Sequence, residues 1–225
     1  MIADYYRLLH ELGVEIDQSE LLEKALTHRS KSSKNYERLE FLGDSVLGFL
    51  IAAELYGRYP DLSEGELTRL RAALVRKETL ASIARDIDLG NYLRLGGGEL
   101  KSGGFDRDSI LADSLEAVIG AIFVDQGIET ARTIILRLFS SRLAKPEPDA
   151  LEKDPKTLLQ EYLQKNAIDT PEYSVDTVEG AAHDQYFVVT CKIAGIKETF
   201  SGEGRSRKKA EQDAARKALT AITEQ

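Results

Sequence analysis

The chain has 225 residues, of which 42% are apolar and 30% charged, and its formal net charge is −8. That length accommodates one or two ordinary domains without disulfide staples, and the apolar content excludes a disordered tail. One cysteine, Cys191, and three widely separated histidines, at 10, 28 and 183, exclude a disulfide framework, a cysteine-cluster zinc site and a local His-x-x-x-His motif.

In chain order, residues 2–12 and 19–26 read as short amphipathic helices. Residues 35–59 read as a long helix ended by Pro60, since proline cannot continue one. Ser63 and Glu66 have the spacing of a capping box and predict a helix to residue 76. Residues 78–86 predict another. Gly96, Gly97, Gly98, Gly103 and Gly104 predict a glycine-rich loop. Helices over 109–124 and 130–143 follow it, with Asp108 and Ser109 as helix-start residues. No strand is predicted in this part. The longest apolar runs, around 46–53 and 117–124, fall well short of the ~20 residues that span a bilayer. The first residues lack the apolar stretch of a secretory signal. A soluble, cytoplasmic protein with no membrane partner is expected.

Pro146 and Pro148 mark residues 145–153 as a semi-rigid linker. Beyond it, residues 155–166 read as a helix. Residues 186–193 alternate, with Phe187, Val189, Cys191 and Ile193 on one face, as a half-buried strand should. Residues 172–178 and 196–201 are its expected neighbours, with Gly195 at a tight turn. Residues 206–222 predict a last helix with Ala210, Ala214, Ala218 and Leu219 on one side. The expected fold class is an all-α domain over 1–144, the linker 145–153, and a small α+β domain of order α-β-β-β-α over 154–225.

The acidity is uneven. Residues 1–152 carry 26 acidic against 19 basic residues, whereas residues 153–225 carry 12 against 11. Within the acidic part, Glu37, Glu40 and Asp44 lie at i, i+3 and i+7, on one stripe of a helix. The opposite side, Leu39, Leu42, Val46, Leu50 and Ala53, is apolar. Asp113 and Glu116 are again three apart, in a helix otherwise rich in Ile, Leu and Val. Carboxylates ~5 Å apart repel by roughly 3 kcal/mol per pair at an effective dielectric near 20. If the two helices converge, the site must protonate or recruit cations, and all-oxygen ligands suit Mg²⁺ or Mn²⁺. Solvated helix faces are the bland alternative, and spacing alone does not decide convergence. In the last helix, Arg207, Lys208 and Lys209 oppose the helix dipole in the first turn, with Arg205 just before it. An anion held there makes better sense of that placement than a solvated face. Gly202 and Gly204 are read as letting the backbone approach such a ligand.

The stretches NYERLEFLGDSVL (35–47) and DSILADSLEAVIGAIFVDQG (108–127) resemble the two signature segments of the bacterial ribonuclease III family. The second domain resembles the double-stranded-RNA-binding domain those enzymes carry, so the resemblance spans almost the whole chain. It implies an endonuclease that hydrolyses double-stranded RNA with Mg²⁺, or Mn²⁺ in its place, and leaves 5′-phosphate and 3′-hydroxyl ends. No small-molecule cofactor is implied. The cellular role implied is ribosomal-RNA maturation and related RNA processing. By the same resemblance, Glu40, Asp44, Asp113 and Glu116 form the metal-binding catalytic cluster. Asp44 and Glu116 are the expected direct ligands. Glu37 and Glu64 match auxiliary acidic positions, although the helix dipole alone explains an acid at Glu64. Phe41 matches an aromatic that packs across a homodimer interface, against the alternative of an ordinary core residue.

In the second domain, GEGRSRKKAEQDAA (202–215) resembles the family's phosphate-gripping helix, which assigns Arg205, Arg207, Lys208 and Lys209 to RNA phosphates. Thr157, Gln160, Glu161 and His183 match minor-groove contacts. Such a module reads A-form shape over about 16 base pairs. His28, in the THRS stretch typical of the family, and Cys191 are read as structural. Gly97 stands where many relatives carry lysine, so that lysine's contact is missing here. A binding-only regulator with a vestigial nuclease fold is the rival reading. Retention of all four catalytic-position acids speaks against it.

Overall fold

The apolar periodicity of the acidic part folds as helices: α1 (Ile2–Leu12), α2 (Ser19–Ala25), α3 (Glu37–Arg58), α4 (Glu64–Val75), α5 (Lys77–Asp86), α6 (Gly97–Lys101), α7 (Asp108–Leu138) and α8 (Ser140–Ala144). The computed structural model describes residues 2–144, 154–181 and 184–223. The chain divides into two compact units, Met1–Leu151 and Glu152–Gln225. The expected linker at 145–153 and His183 lie outside the described residues. Among the described residues, no helix is long and apolar enough to cross a membrane.

The first unit is built on α3 and α7. Leu39, Val46, Leu47, Leu50, Ile51 and Leu55 of α3 are buried with Leu111, Leu115, Val118, Ile119 and Ile122 of α7. Each such side chain contributes about 1.5–3 kcal/mol of transfer free energy. Ala53, expected on the inward stripe, is exposed; the 3.6-residue period carries it past the seam, and Leu47 and Ile51 take the inward places. The two backbones come together at glycines. A Cβ on Gly43 would lie 1.8 Å from the Glu116 carbonyl oxygen, and one on Gly120 would lie 2.2 Å from the Leu39 carbonyl oxygen. Only residues without a side chain fit this crossing.

Local signals explain the helix ends. The Ser63 hydroxyl accepts the Glu66 backbone N–H, while the Glu66 carboxylate accepts the Ser63 N–H at 2.8 Å, which completes the expected capping box. The start of α2 is satisfied from afar, since Asp125 accepts the backbone N–H groups of Asp17 (2.8 Å) and Gln18 (3.0 Å). A kink at Gly127 (φ +79°) divides α7, between the two helices expected there. The glycine-rich stretch is not a loop throughout. It holds the one-turn helix α6 and a short 3-10 turn over Gly104–Asp106. A parallel bridge between Thr27 and Arg94 ties that stretch to the segment before α3, with the His28 N–H donated to the Arg94 carbonyl at 3.0 Å.

The second unit comprises α9 (Pro155–Lys165), β1 (Glu172–Glu179), β2 (Tyr186–Lys192), β3 (Thr199–Gly204) and α10 (Arg207–Thr223). Its antiparallel sheet has the order β1-β2-β3. Tyr173, Cys191 and Phe200 are register partners across it. Leu159, Leu163, Cys191, Ile193, Phe200, Ala214, Ala215 and Ala218 form a separate core. The third strand begins three residues later than expected. Gly195 (φ +79°) and the Ile196 N–H to Ile193 carbonyl bond (3.2 Å) place Ile196 in the turn, and Lys192 pairs with Thr199. Gly202 serves a different purpose from the one expected. A Cβ there would lie 2.1 Å from the Ala214 nitrogen and 2.4 Å from the Ala210 oxygen, so the missing side chain admits α10, not a ligand.

The α3–α7 crossing yields a contrast within one helix. Gly43→Ala is expected to destabilise the protein by roughly 3 kcal/mol through overpacking. Gly48→Ala has open space around its Cβ and should stabilise by about 0.5–1 kcal/mol through helix propensity. Urea unfolding of both variants checks the pair, and equal midpoints would show that the crossing yields to a methyl group.

Candidate active site

Because α3 and α7 touch backbone to backbone, the acids on either side of the glycines are drawn together. Gly43 lies between Glu40 and Asp44, and Gly120 is one turn beyond Glu116. Carboxylate oxygens of Glu40, Asp113 and Glu116 all lie within 4.8 Å of one another, each residue being half-buried. Asp44 stands one turn after Glu40 on α3, is exposed, and is not part of this trio. Its charge is nevertheless felt there. Burial first, and then the charges of Asp44, Asp113 and Glu40, push the Glu116 carboxyl up to about 8. Burial and the neighbouring charges of Asp113, Glu37 and Asp44 push Glu40 up to about 7. Asp113 is also raised by burial, against the opposing charges of Lys77, His28 and Arg29.

The other two predicted acids stand apart from the trio. Glu37 is exposed at the start of α3 and pairs with Arg29 at 3.7 Å. Glu64 opens α4 and accepts the Thr68 hydroxyl at 2.9 Å.

A cleft of about 670 Å³ opens beside Glu40 and Asp113. Its walls include His28, Arg29, Ser30, Tyr36, Glu99, Arg107 and Ser109. The His28 ring is buried, which holds its pKa below the usual histidine value. Its Nδ1 accepts the Ser30 N–H at 3.2 Å and lies 2.7 Å from the Ser30 hydroxyl, which itself accepts the Gly96 N–H at 2.9 Å. Arg107 is paired with Glu99 at 2.6 Å. The sequence reading missed Arg29, Glu99 and Arg107 because a bridge between distant segments assembles this wall.

In the second unit, Thr157, Gln160 and Glu161 lie exposed on α9, and Arg205, Arg207, Lys208 and Lys209 lie exposed at the start of α10. The Ser206 hydroxyl caps that helix by accepting the Lys209 N–H at 3.2 Å. Arg205 stands 3.9 Å from Asp184, and Arg207 is held by Glu211 at 2.8 Å. Phe41 is not a core residue. It is 78% exposed, and with Phe49 (63%) and Tyr56 (77%) it forms an aromatic ridge along the outer side of α3. The spacing of 41, 49 and 56 close to two helical turns was a signal the sequence reading left unused beyond Phe41.

Two family profiles match the chain: one described as Ribonuclease-III-like, over residues 18–143, and one as Double-stranded RNA binding motif, over residues 155–222. Ribonuclease 3 of Vibrio cholerae is 54% identical over 217 residues, covering 96% of each chain. Ribonuclease 3 of Vibrio parahaemolyticus is 52% identical over the same span. Among solved structures, the nuclease domain of ribonuclease III from Campylobacter jejuni is 44% identical with a TM-score of 0.59, and the match covers 60% of this chain and 95% of that one. A helical unit with converging carboxylates, followed by an α-β-β-β-α module, is thus the architecture of a nuclease that works on duplex RNA. The chain belongs to the ribonuclease III family, and its activity is that of a double-stranded-RNA endoribonuclease.

The raised carboxyls have a consequence for stability. Glu40 and Glu116 bind protons more tightly folded than unfolded, where carboxyls of this type titrate near 4.5. Their contribution in metal-free protein is fully present below about pH 4.5 and is lost as pH rises through 7 to 8. The Tm of metal-free protein should fall across that window, and Glu116→Gln should flatten the fall. Thermal unfolding in chelator from pH 5 to 9 checks this; parallel curves for variant and parent would contradict the electrostatic origin.

Proposed function

We propose that Glu40, Asp44, Asp113 and Glu116 hold a hard divalent cation, Mg²⁺ in the cell with Mn²⁺ able to replace it, with Asp44 and Glu116 as direct ligands and Asp44 reaching the ion from the exposed rim. The single observation that carries this reading is the convergence of three carboxylates within 4.8 Å. The donor set fits such an ion: it is made only of oxygen, and burial together with the neighbouring negative charges raises two of its carboxyls to about 7 and about 8. When bound, the ion supplies Lewis acidity toward the phosphodiester and makes a water more acidic. The protein's own part is placement. Glu40, Asp113 and Glu116 give a fixed, half-buried seat, and Asp44 completes it from the exposed rim. The guanidinium groups of Arg29 and Arg107, in the wall of the adjoining cleft, steady the phosphates of the strand lying there. In-line attack of water forms the new P–O bond as the P–O3′ bond breaks; the water gives up a proton to solvent and the departing 3′ oxygen takes one from solvent, leaving a 5′-phosphate and a 3′-hydroxyl. Glu37 and Glu64 act as auxiliary acidic positions.

In the second domain, residues 154–225, Thr157, Gln160, Glu161 and His183 read the minor groove, while Arg205, Arg207, Lys208 and Lys209 take phosphates. Residues 145–153 tether it to the nuclease domain, 1–144. One carboxylate cluster per chain cuts one strand, so cutting both strands calls for a two-fold pair. Phe41, Phe49 and Tyr56 are the natural seam for a homodimer, since so large an aromatic ridge in water is an interaction site. The working place is the cytoplasm, in maturation of ribosomal RNA and processing of other transcripts, with no small-molecule cofactor.

Two experiments test the reading. Glu116→Gln should lower duplex cleavage by ~10³-fold or more while duplex affinity measured without divalent ions stays within about twofold, because phosphate contacts lie elsewhere. Persistent cleavage would remove Glu116 from the site. Phe41→Asp should convert a dimer to a monomer in sedimentation equilibrium, and an unchanged mass would move the seam elsewhere.

A further inference from the structure

The two RNA-facing elements of the second unit are joined by an acid that plain electrostatics would not place there. Glu211 lies one turn into α10, on the helix whose start carries Arg207, Lys208 and Lys209. One of its oxygens accepts the Lys156 ammonium of α9 at 2.6 Å, and the other accepts Arg207 Nε at 2.8 Å. Its side chain is only 12% exposed. The Lys156 ammonium also sits 4.4 Å from the centre of the Tyr173 ring, which fixes it from a third side. A second bond runs parallel to the first: Gln212 donates to Asp154 at 2.7 Å, and Asp154 accepts the Lys156 N–H that starts α9. At the other end of the helix pair, the Tyr162 hydroxyl donates to the Ile222 carbonyl at 3.2 Å.

We infer that Glu211 is a positioning residue for duplex recognition, setting the distance between the α9 residues that enter the minor groove and the α10 cations that take phosphates. The inference rests on the reading above that Thr157, Gln160, Arg207 and Lys208 touch RNA. Two features separate this role from that of an ordinary surface ion pair, which contributes little to stability. First, Glu211 joins two different elements, and Lys156 immediately precedes Thr157 in the chain. Second, it occupies Arg207 through Nε alone, which turns the guanidinium in a fixed direction and leaves its terminal nitrogens for an anion. An A-form duplex presents its minor-groove hydroxyls and phosphates at set spacings, so a module that reads shape needs its own two contact sets held at a matching spacing. The acid subtracts from phosphate attraction, and geometry is what it returns. Burial raises the Glu211 carboxyl, but the bonds from Lys156 and Arg207 outweigh it and hold it below the ordinary range, so the clasp stays ionised at neutral pH.

The sign of one measurement decides. Removing a negative charge next to a phosphate-binding face tightens RNA binding if charge is all that matters. Removing a positioning residue weakens it. Binding of the full chain to an RNA duplex of about 20 base pairs, and to one of its single strands, is followed by fluorescence anisotropy in chelator. Glu211→Gln is expected to weaken duplex binding about fivefold and leave single-strand binding unchanged or tighter, so the preference for duplex falls. Lys156→Met should cause a similar loss, and the double variant should be no weaker than the weaker single one, as residues sharing one clasp require. Circular dichroism confirms the fold of each variant. Glu211→Gln keeps the side chain's shape and Lys156→Met its length, so the pair can be read even if Glu211→Ala fails to fold. A folded Glu211→Gln with equal or tighter duplex binding, or fully additive losses, overturns the inference. A parent chain with no preference for duplex would overturn the reading of the whole module along with it.

Discussion

Where α3 crosses α7, two helix backbones meet with no side chain between them, at Gly43 and Gly120. The chemistry of the first unit follows from that approach. Acids spaced three apart on a single helix make only a charged stripe. Two such stripes pressed together at a glycine crossing become a cluster whose oxygens lie within 4.8 Å. The same closeness half-buries the carboxylates and raises their proton affinity, because desolvation and like charge act in the same direction. The aliphatic core along the seam supplies the free energy that offsets this repulsion.

The second unit solves a different problem. A chain of net charge −8 that acts on a polyanion must confine its attraction to a small area. Exposed charges separated by more than a Debye length of ~8–10 Å largely ignore each other in physiological salt. Four exposed cations are gathered around the start of α10, whereas 26 of the 38 acids lie among residues 1–152. The fold allows this by placing Gly202 beneath α10, so that the helix sits directly on the sheet through its alanines.

Local order was readable from local pattern. The capping box at Ser63, the alternation from Phe187 to Ile193 and the alanine side of the last helix each involve residues within a few positions of one another, and each appears where the pattern puts it. The i, i+3 acids were legible as stripes. What could not be read were features that depend on distant partners. The Thr27–Arg94 bridge builds one wall of the cleft from segments with no shared periodicity. The start of β3 was misplaced because Ile196 continues the apolar rhythm yet belongs to the turn at Gly195. The glycines were misjudged most. Gly202 suggests a ligand in sequence but makes room for α10, and Gly43 shows its purpose only at the crossing, although a glycine inside a long helix costs ~1 kcal/mol against alanine and so asks for a reason.

The crossing also bears on how such a chain can change over generations. Every amino acid other than glycine carries a Cβ, so any missense change in the codons for Gly43 or Gly120 wedges the helices apart. These two sites have no neutral neighbours in sequence space. The acids do: each can mutate singly and leave the scaffold standing. Decay of this fold into a catalytically silent relative is therefore an easy path for a lineage, whereas losing the scaffold while keeping the chemistry is a closed one.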